Sequence, residues 1–445
     1  MNSVKKIFIL AIGLTLLTTS CQKQDLTETA PEIEPVAQQS LEDFTLEQVY
    51  GIPPEAMTEK VRQELYAGLT ANATDREIAD FRTLMQNLQK QKTEPRNRFT
   101  FRTPGNEETI SAGNPGDGFG TAVATDGGYL FAGAPEANQV HVYLDGGRSY
   151  VETQVLTPGN GAESFGSALA VSGDWLAVSA PFGPADQSGQ IFVFHKEGAS
   201  WVEHQILTMS GNYLLGKDVV LKGGQLAATV FTPANISSGA GINSIVVYNL
   251  NGNNWSQSTI LGDGTIFFWD IDMDGNRIVG NGGHVFPSPI IGILNPKVFV
   301  YTGSGSSWSA PEELSLLPGQ LLFRAVAIEG NTIVGNAASP GNLSSVFRYT
   351  GRNWSNVATL SYPPVFGQTK WLDISGSTIS VSVPELDQVY LFEGSGSSWT
   401  QTGTLSPDAG GSDVFFGNNT VLAGGKVIVG APNTSEVPGQ VFIYE

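Results

Sequence analysis

A unit of four short strands returns along this chain, and the interval between its copies restricts the fold more than any other feature. The clearest copy runs ESFGSALAVSGDWLAVSAP, Glu163 to Pro181, and continues GQIFVFHKEGASWVEHQIL, Gly189 to Leu207. Phe165-Gly166 opens an apolar run to Val171, and Ser172-Gly173-Asp174 supplies residues that suit a tight turn. Trp175 to Ala180 fits a pleated, half-buried surface. Pro181, which cannot donate to a sheet ladder, ends that run. Ile191 to Phe194 is apolar at every position, as expected of a strand covered on both faces. Lys196 to Ser200 turns the chain, and Trp201 to Leu207 makes a fourth, more polar strand.

The position of Trp201 recurs as Tyr150, Trp255, Trp308, Trp354 and Trp399, at spacings of 45 to 54 residues. GFGTAVATDGGYLFAGAP (Gly118 to Pro135) precedes the clearest copy. Others follow with Gly216, with Trp269, with Phe323 and with Phe366-Gly367, and the last is VFFGNNTVLAGGKVIVGAP (Val414 to Pro432) with QVFIYE. Four strands per period of roughly 40 to 50 residues predict an all-β chain, a seven-bladed β-propeller of four-stranded antiparallel blades. The seventh copy stops after its third strand, at Glu445. EETISAGNPGDGFG (Glu107 to Gly120) matches VETQVLTPGNGAESFG, the outer strand and loop that lead into the second blade. Residues 107–111 are therefore expected to complete the last blade, so that the 107–445 domain closes as a ring without exposed sheet edges.

Phe165-Gly166, with Gly133-Ala134-Pro135 and Gly430-Ala431-Pro432, resembles the FG-GAP repeat, the building unit of integrin α propellers and of many bacterial secreted proteins. The resemblance covers about 340 residues from Glu107 onward. It is strong in copies 1, 2 and 7, whereas Gly280-Asn281 and Gly335-Asn336 stand where the Gly-Ala-Pro would be. Tyr248 to Trp255 and Tyr301 to Trp308 resemble kelch spacing, but the best copies lack the Gly-Gly pair of a kelch blade.

Residues 1–21 read as a leader: Lys5-Lys6, then an apolar stretch from Ile7 to Leu17 too short to span a bilayer. Cys21, the single cysteine, follows Leu17-Thr18-Thr19-Ser20. This resembles the lipobox of a bacterial lipoprotein, which implies lipidation of Cys21. With no aspartate after it, that resemblance implies an extracytoplasmic protein of the outer membrane or cell surface of a Gram-negative bacterium. Residues 22–40 are polar and acidic with Pro31 and Pro35, as in a flexible tether. Residues 41–95 change period: Met57, Val61, Leu65 and Leu69, then Ile78, Phe81, Leu84, Met85 and Leu88, form helical stripes expected to dock on the propeller. Loss of Lys5 and Lys6 with the leader takes the net charge from −19 to −21. That excludes nucleic acid, heparin-like polyanions and anionic membrane surfaces as expected partners.

Asp270-Ile271-Asp272-Met273-Asp274-Gly275 is the calcium candidate, because FG-GAP repeats of the integrin type carry such a loop between first and second strands. Calcium needs about six to eight oxygens. Here Ile278 stands at the ninth loop position, and the segment aligns without insertion with AIEGNTIVG (Ala327 to Gly335). Alternating aspartates on a strand before a Gly275-Asn276 turn account for it, so no metal or other cofactor is expected. No G-x-S-x-G, phosphate loop or H-E-x-x-H occurs. His141, His195 and His204 read as strand residues and His284 as a loop residue, none with a carboxylate at ligand spacing. The expected function is a non-enzymatic binding or adhesion module for a protein or glycan ligand, of undetermined oligomeric state. The alternative is a glycan-active hydrolase or lyase with a site at the propeller mouth. The second-to-third connections of blades 3 and 4, Thr232 to Asn243 and Asn281 to Pro296, are the longest on their face. With Tyr213 and Phe267 nearby, the apolar Phe286, Ile290 and Ile291 mark the expected partner patch.

Overall fold

The computed structural model describes residues 107–182, 189–209, 214–232, 242–264, 266–286, 292–316, 322–338, 343–362, 371–407, 415–432 and 437–445. The leader with Cys21, the tether and the 41–95 segment lie outside the described residues. Among those described, the one helical element is a 3-10 turn at Pro384–Leu386, and no helix is long and apolar enough to cross a membrane.

Seven antiparallel sheets follow one another along the chain. Blade 1 holds β2 (Val123–Asp126), β3 (Tyr129–Ala134), β4 (Gln139–Asp145) and β5 (Tyr150–Leu156), in that order outward, after a leading β1 (Glu107–Ser111). Blade 2 is β6 (Leu169–Ser172), β7 (Trp175–Ala180), β8 (Gln190–Glu197) and β9 (Ser200–Thr208). Blade 3 is β10 (Leu214–Lys222), β11 (Gln225–Thr232), β12 (Ile242–Asn251) and β13 (Asn254–Leu261). Blade 4 has β14 (Ile266–Asp274), β15 (Arg277–Phe286) and β16 (Gly292–Ser304). Its outer strand is split into β17 (Ser307–Trp308) and β18 (Glu312–Ser315), because Pro311 between them has no N–H to give to the ladder. Blade 5 is β19 (Leu322–Glu329), β20 (Thr332–Ala338), β21 (Leu343–Tyr349) and β22 (Trp354–Ser361). Blade 6 is β23 (Trp371–Ser375), β24 (Thr378–Val383), β25 (Gln388–Ser395) and β26 (Ser398–Leu405). Blade 7 is β27 (Asn419–Ala423), β28 (Lys426–Ala431) and β29 (Gln440–Tyr444), with β1 as its outermost strand. β1 pairs antiparallel with β29 from Glu107↔Tyr444 to Ser111↔Gln440. The inner strands contact one another in succession, and β27 returns against β2. This is a closed seven-bladed propeller.

Each blade is a two-faced sheet, so the core is divided. Seven apolar clusters lie one at each junction between neighbouring blades, including the junction of blade 7 with blade 1. This is why β3, β7 and the centre of β8 are buried at every position: both faces meet a neighbour. The recurring tryptophan of each outer strand turns back toward the preceding blade. Trp201 meets the edges of Phe131 and Tyr129 at 5.0 and 5.7 Å, and Trp255 meets Trp175 at 5.7 Å.

Two sets of polar contacts hold these junctions in register. On the outside, Gln154 bonds both backbone groups of Trp201 (2.9 and 2.8 Å), and Gln205 does the same to Trp255 (2.9 and 2.8 Å). Glu108 of β1 accepts from Tyr150 N at 2.8 Å, so the closing strand makes the same kind of staple as a fourth strand in sequence. Nearer the axis, backbones touch through glycines. A Cβ on Gly133 would lie 2.0 Å from Gly166 O, and one on Gly430 would lie 2.2 Å from Gly120 O. The Phe-Gly of one blade thus seats against the Gly-Ala-Pro of the blade before it. Gly120 and Gly166 both have positive φ, as this seat requires.

Candidate functional site

The inner strands leave their free edges toward the central channel, where each unpaired N–H needs an acceptor. The sequence supplies acids at alternate positions, and alternation puts them on one face of the strand. In β14 the three aspartates each reach the next blade. Asp270 accepts from Val326 N (2.7 Å), Asp272 from Ile328 N (2.7 Å) and Asp274 from Gly330 N (2.7 Å). The same contact recurs around the ring. Asp218 accepts from Ile271 N (2.8 Å), Asp373 from Leu422 N (2.6 Å), Glu329 from Gly376 N (2.5 Å) and Asp126 from Gly173 N (2.6 Å). The calcium candidates therefore belong to a set of clasps between inner strands. Among the described residues, no three acidic, histidine or cysteine side chains converge as a metal would require.

A cavity of ≈ 160 Å³ lies inside this ring, lined by inner strands of all seven blades, with Asp218, Asp270, Asp272, Trp371, Asp373 and Asn419 in its wall. Burial there disfavours charge. It pushes Asp272 and Asp373 up to about 7, against the stabilising N–H bonds each accepts. Both keep partial exposure, and the solvent they meet is in the channel. Asp218 and Asp270 are hydrogen-bonded to one another across blades 3 and 4, and both are raised, first by burial. Two such acids in contact resist ionising together, so the pair holds a proton more firmly than free aspartates do.

Lys217, next to Asp218 in the chain, has its Nζ 4.7 Å from the centre of the Trp269 ring. Trp269 packs on Phe267 (4.8 Å), and Phe267 on Phe231 (6.4 Å), so three half-buried rings and an ammonium group meet where blades 3 and 4 adjoin. Of the expected patch, Phe267 is in this group. Tyr213, Ile290 and Ile291 lie outside the described residues, and Phe286 is described only as the last residue of β15. The expected long loop of blade 4 is largely strand. β15 runs on to Phe286 and β16 starts at Gly292, with His284 opposite Leu294 and Val285 opposite Ile293. Backbone pairing extends the hairpin that the irregular sequence disguised.

His284 accordingly sits on a strand, a correction to the loop reading. Its Nε2 is 3.0 Å from Glu313, which also takes Lys297 Nζ at 2.6 Å. Glu313 is lowered by these two partners against the opposing effect of burial. His141 likewise meets Glu152 at 3.0 Å, and Tyr143 donates to the same oxygen at 3.1 Å. Both carboxylates were missed because they come from another strand of the same blade. Sequence spacing does not show cross-strand neighbours, although the paired strands place them together. His195 and His204 flank Trp175, at 4.3 and 5.1 Å between ring centres.

No family model matches the chain, and no curated protein matches it. Among solved structures it is similar to a streptogramin B lyase, at 13% identity over 76% of this chain and 98% of that chain, with a TM-score of 0.49. It is also similar to the periplasmic gluconolactonase of Pseudomonas aeruginosa (14% identity, 69% and 95% covered, TM-score 0.45). A third is Sqt1 of Saccharomyces cerevisiae (11%, 76% and 98%, TM-score 0.43). At these scores the likeness carries no argument about chemistry, and the propeller rests on the sheet order itself.

Proposed function

We propose that this propeller is a non-enzymatic, extracytoplasmic binding module of the FG-GAP type, held at the outer membrane or cell surface by a lipid on Cys21. The observation that carries the reading is the ring group Phe231, Phe267 and Trp269, half-buried where blades 3 and 4 adjoin, with Lys217 over Trp269. Flat rings beside an ammonium group suit a protein or glycan surface that offers an apolar face and a polar edge. The clasps support it as well, since the channel acids are engaged in holding blades together. The FG-GAP assignment draws on the seats of Gly166 against Gly133 and Gly120 against Gly430.

A second reading, a glycan-active hydrolase or lyase, draws on the Asp218–Asp270 pair, two hydrogen-bonded carboxyl groups in the channel wall that burial raises together. The two separate in one experiment. The full chain and its Phe267→Ser variant are applied to glycan and protein arrays, and bound glycans are then examined for cleavage. The binding reading expects an intact ligand whose retention falls at least tenfold in Phe267→Ser, with a melting temperature within a few degrees of the parent. Retention unchanged in Phe267→Ser removes this patch. Glycan cleavage that Asp270→Asn abolishes replaces it with the enzyme.

A further inference from the structure

The outer hairpins of the blades repeat in register, and that of blade 1 departs from the pattern. The residue after the recurring aromatic position faces a polar partner in most of them. Ser256 stands opposite Asn249 in blade 3, Ser355 opposite Arg348 in blade 5, and Thr400 opposite Glu393 in blade 6. In blade 2 Val202 stands opposite His195, which packs on Trp175 at 4.3 Å. Blade 1 instead sets Val151 opposite Leu144. Directly opposed residues share a face of the sheet, and these two aliphatic groups are 56% and 38% exposed.

The described chain begins beside this pair. Glu107 opens β1 opposite Tyr444, and Glu108 accepts from the N–H of Tyr150, the neighbour of Val151, at 2.8 Å. At the same corner Lys426 Nζ bonds Glu445 (3.0 Å) and Asp145 (3.1 Å), the neighbour of Leu144. Upstream of Glu107 the sequence reads Arg98-Phe99-Thr100-Phe101-Arg102, then Thr103-Pro104-Gly105-Asn106. Pro104-Gly105 suits a turn. Alternation puts Phe99 and Phe101 on one face of an extended stretch, with both arginines and Thr100 on the other. Phe101 precedes Glu107 by six residues and lies within about 20 Å of it. That reach keeps both rings near the corner where Leu144 and Val151 meet water, which is unfavourable for all four groups.

We propose that residues 98–102 dock on the outer hairpin of blade 1, with Phe99 and Phe101 against Leu144 and Val151. Two aromatic groups match two aliphatic ones in extent. The helical stripes of 41–95 carry four and five apolar groups, more than this pair covers. Docked there, the chain that closes the ring also grips blade 1 from outside. The proposal does not depend on the ring group of blades 3 and 4, which lies at the other end of the strands. Phe231 stands next to the end of β11 and Phe267 next to the start of β14, whereas Asp145 N–H bonds Gly128 O (2.8 Å) in the β2–β3 turn. A segment seated on Leu144 and Val151 leaves the ring group open.

Cysteine pairing in the full chain carrying Cys21→Ser tests this. Phe101→Cys with Val151→Cys is expected to form a disulfide within one molecule under mild oxidation, read as a linked peptide by mass spectrometry. Phe101→Cys with Val202→Cys, the matching position of blade 2, is expected to stay reduced. A double-mutant cycle reads the same contact without cysteines. Phe99→Ser with Phe101→Ser, and Leu144→Ser with Val151→Ser, are made separately and together. Each pair should lower the melting temperature, and the four changes together should cost no more than the larger of the two losses. Losses that add in full, or a disulfide at Val202→Cys and none at Val151→Cys, would overturn the proposal. A 101–151 disulfide formed only between two molecules would overturn it in favour of a second copy on this hairpin. Should a serine variant fail to fold, the disulfide decides.

Discussion

At Gly133 a Cβ would stand 2.0 Å from a backbone oxygen of the next blade, and at Asp373 a carboxyl group bridges two inner strands with a proton still on it near neutral pH. Both residues serve the joint between blades, one by being absent as a side chain and one by accepting a backbone N–H of the next blade. The second has a measurable consequence. An unfolded aspartate titrates near 3.9, whereas burial raises Asp272 and Asp373 to about 7 in the fold. Between those values the folded chain binds protons that the unfolded chain has lost, so stability falls as pH rises through that window. The contribution is complete below the unfolded value and gone above the folded one. The melting temperature should therefore be several degrees higher at pH 5 than at pH 8. Asp373→Asn should flatten that slope, and a slope identical to the parent's would show that Asp373 is charged throughout.

Among the elements, β1 is the one on which closure depends. It is five residues long and is paired on one side, with β29. Its Glu108 also reaches Tyr150 of blade 1, so it ties β29 to β5. Deleting residues 107–111 unpairs β29 and exposes the apolar junction of blades 7 and 1, where Ile110 packs. A loss of several kcal/mol is expected, read as a shift in the denaturation midpoint with the slope of the transition retained. A deletion that unfolds at the parent's midpoint would show that β1 adds nothing to the ring. This strand was legible in the sequence, because Glu107 to Ser111 repeats the pattern that precedes blade 2. The β15–β16 hairpin was not: His284 to Phe286 and Gly292 to Leu294 lack the alternation that marks a strand, and only pairing to each other makes them one.

For the molecule as a whole, attachment follows from the leader reading. Cys21→Ser should move the protein from the membrane fraction to the soluble fraction, since one lipid-modified cysteine is the proposed anchor and the strongly acidic charge of the chain opposes anionic surfaces. Sedimentation with membranes unchanged in that variant would contradict the anchor. What the sequence by itself determined is the number and content of the blades. Strand alternation, turn glycines and a recurring tryptophan are local and periodic, and periodicity survives in one dimension. It also determined the closing strand, because similarity between segments needs no coordinates. The tertiary structure decided which residues meet. Asp218 and Asp270 hydrogen-bond to one another across blades 3 and 4, and Asp270, Asp272 and Asp274 each clasp a backbone group 56 residues away. Alternation assigns a side chain to a face of its strand. The neighbour on that face is set by how blades are rotated about the common axis, and that rotation follows from the packing of seven separate cores.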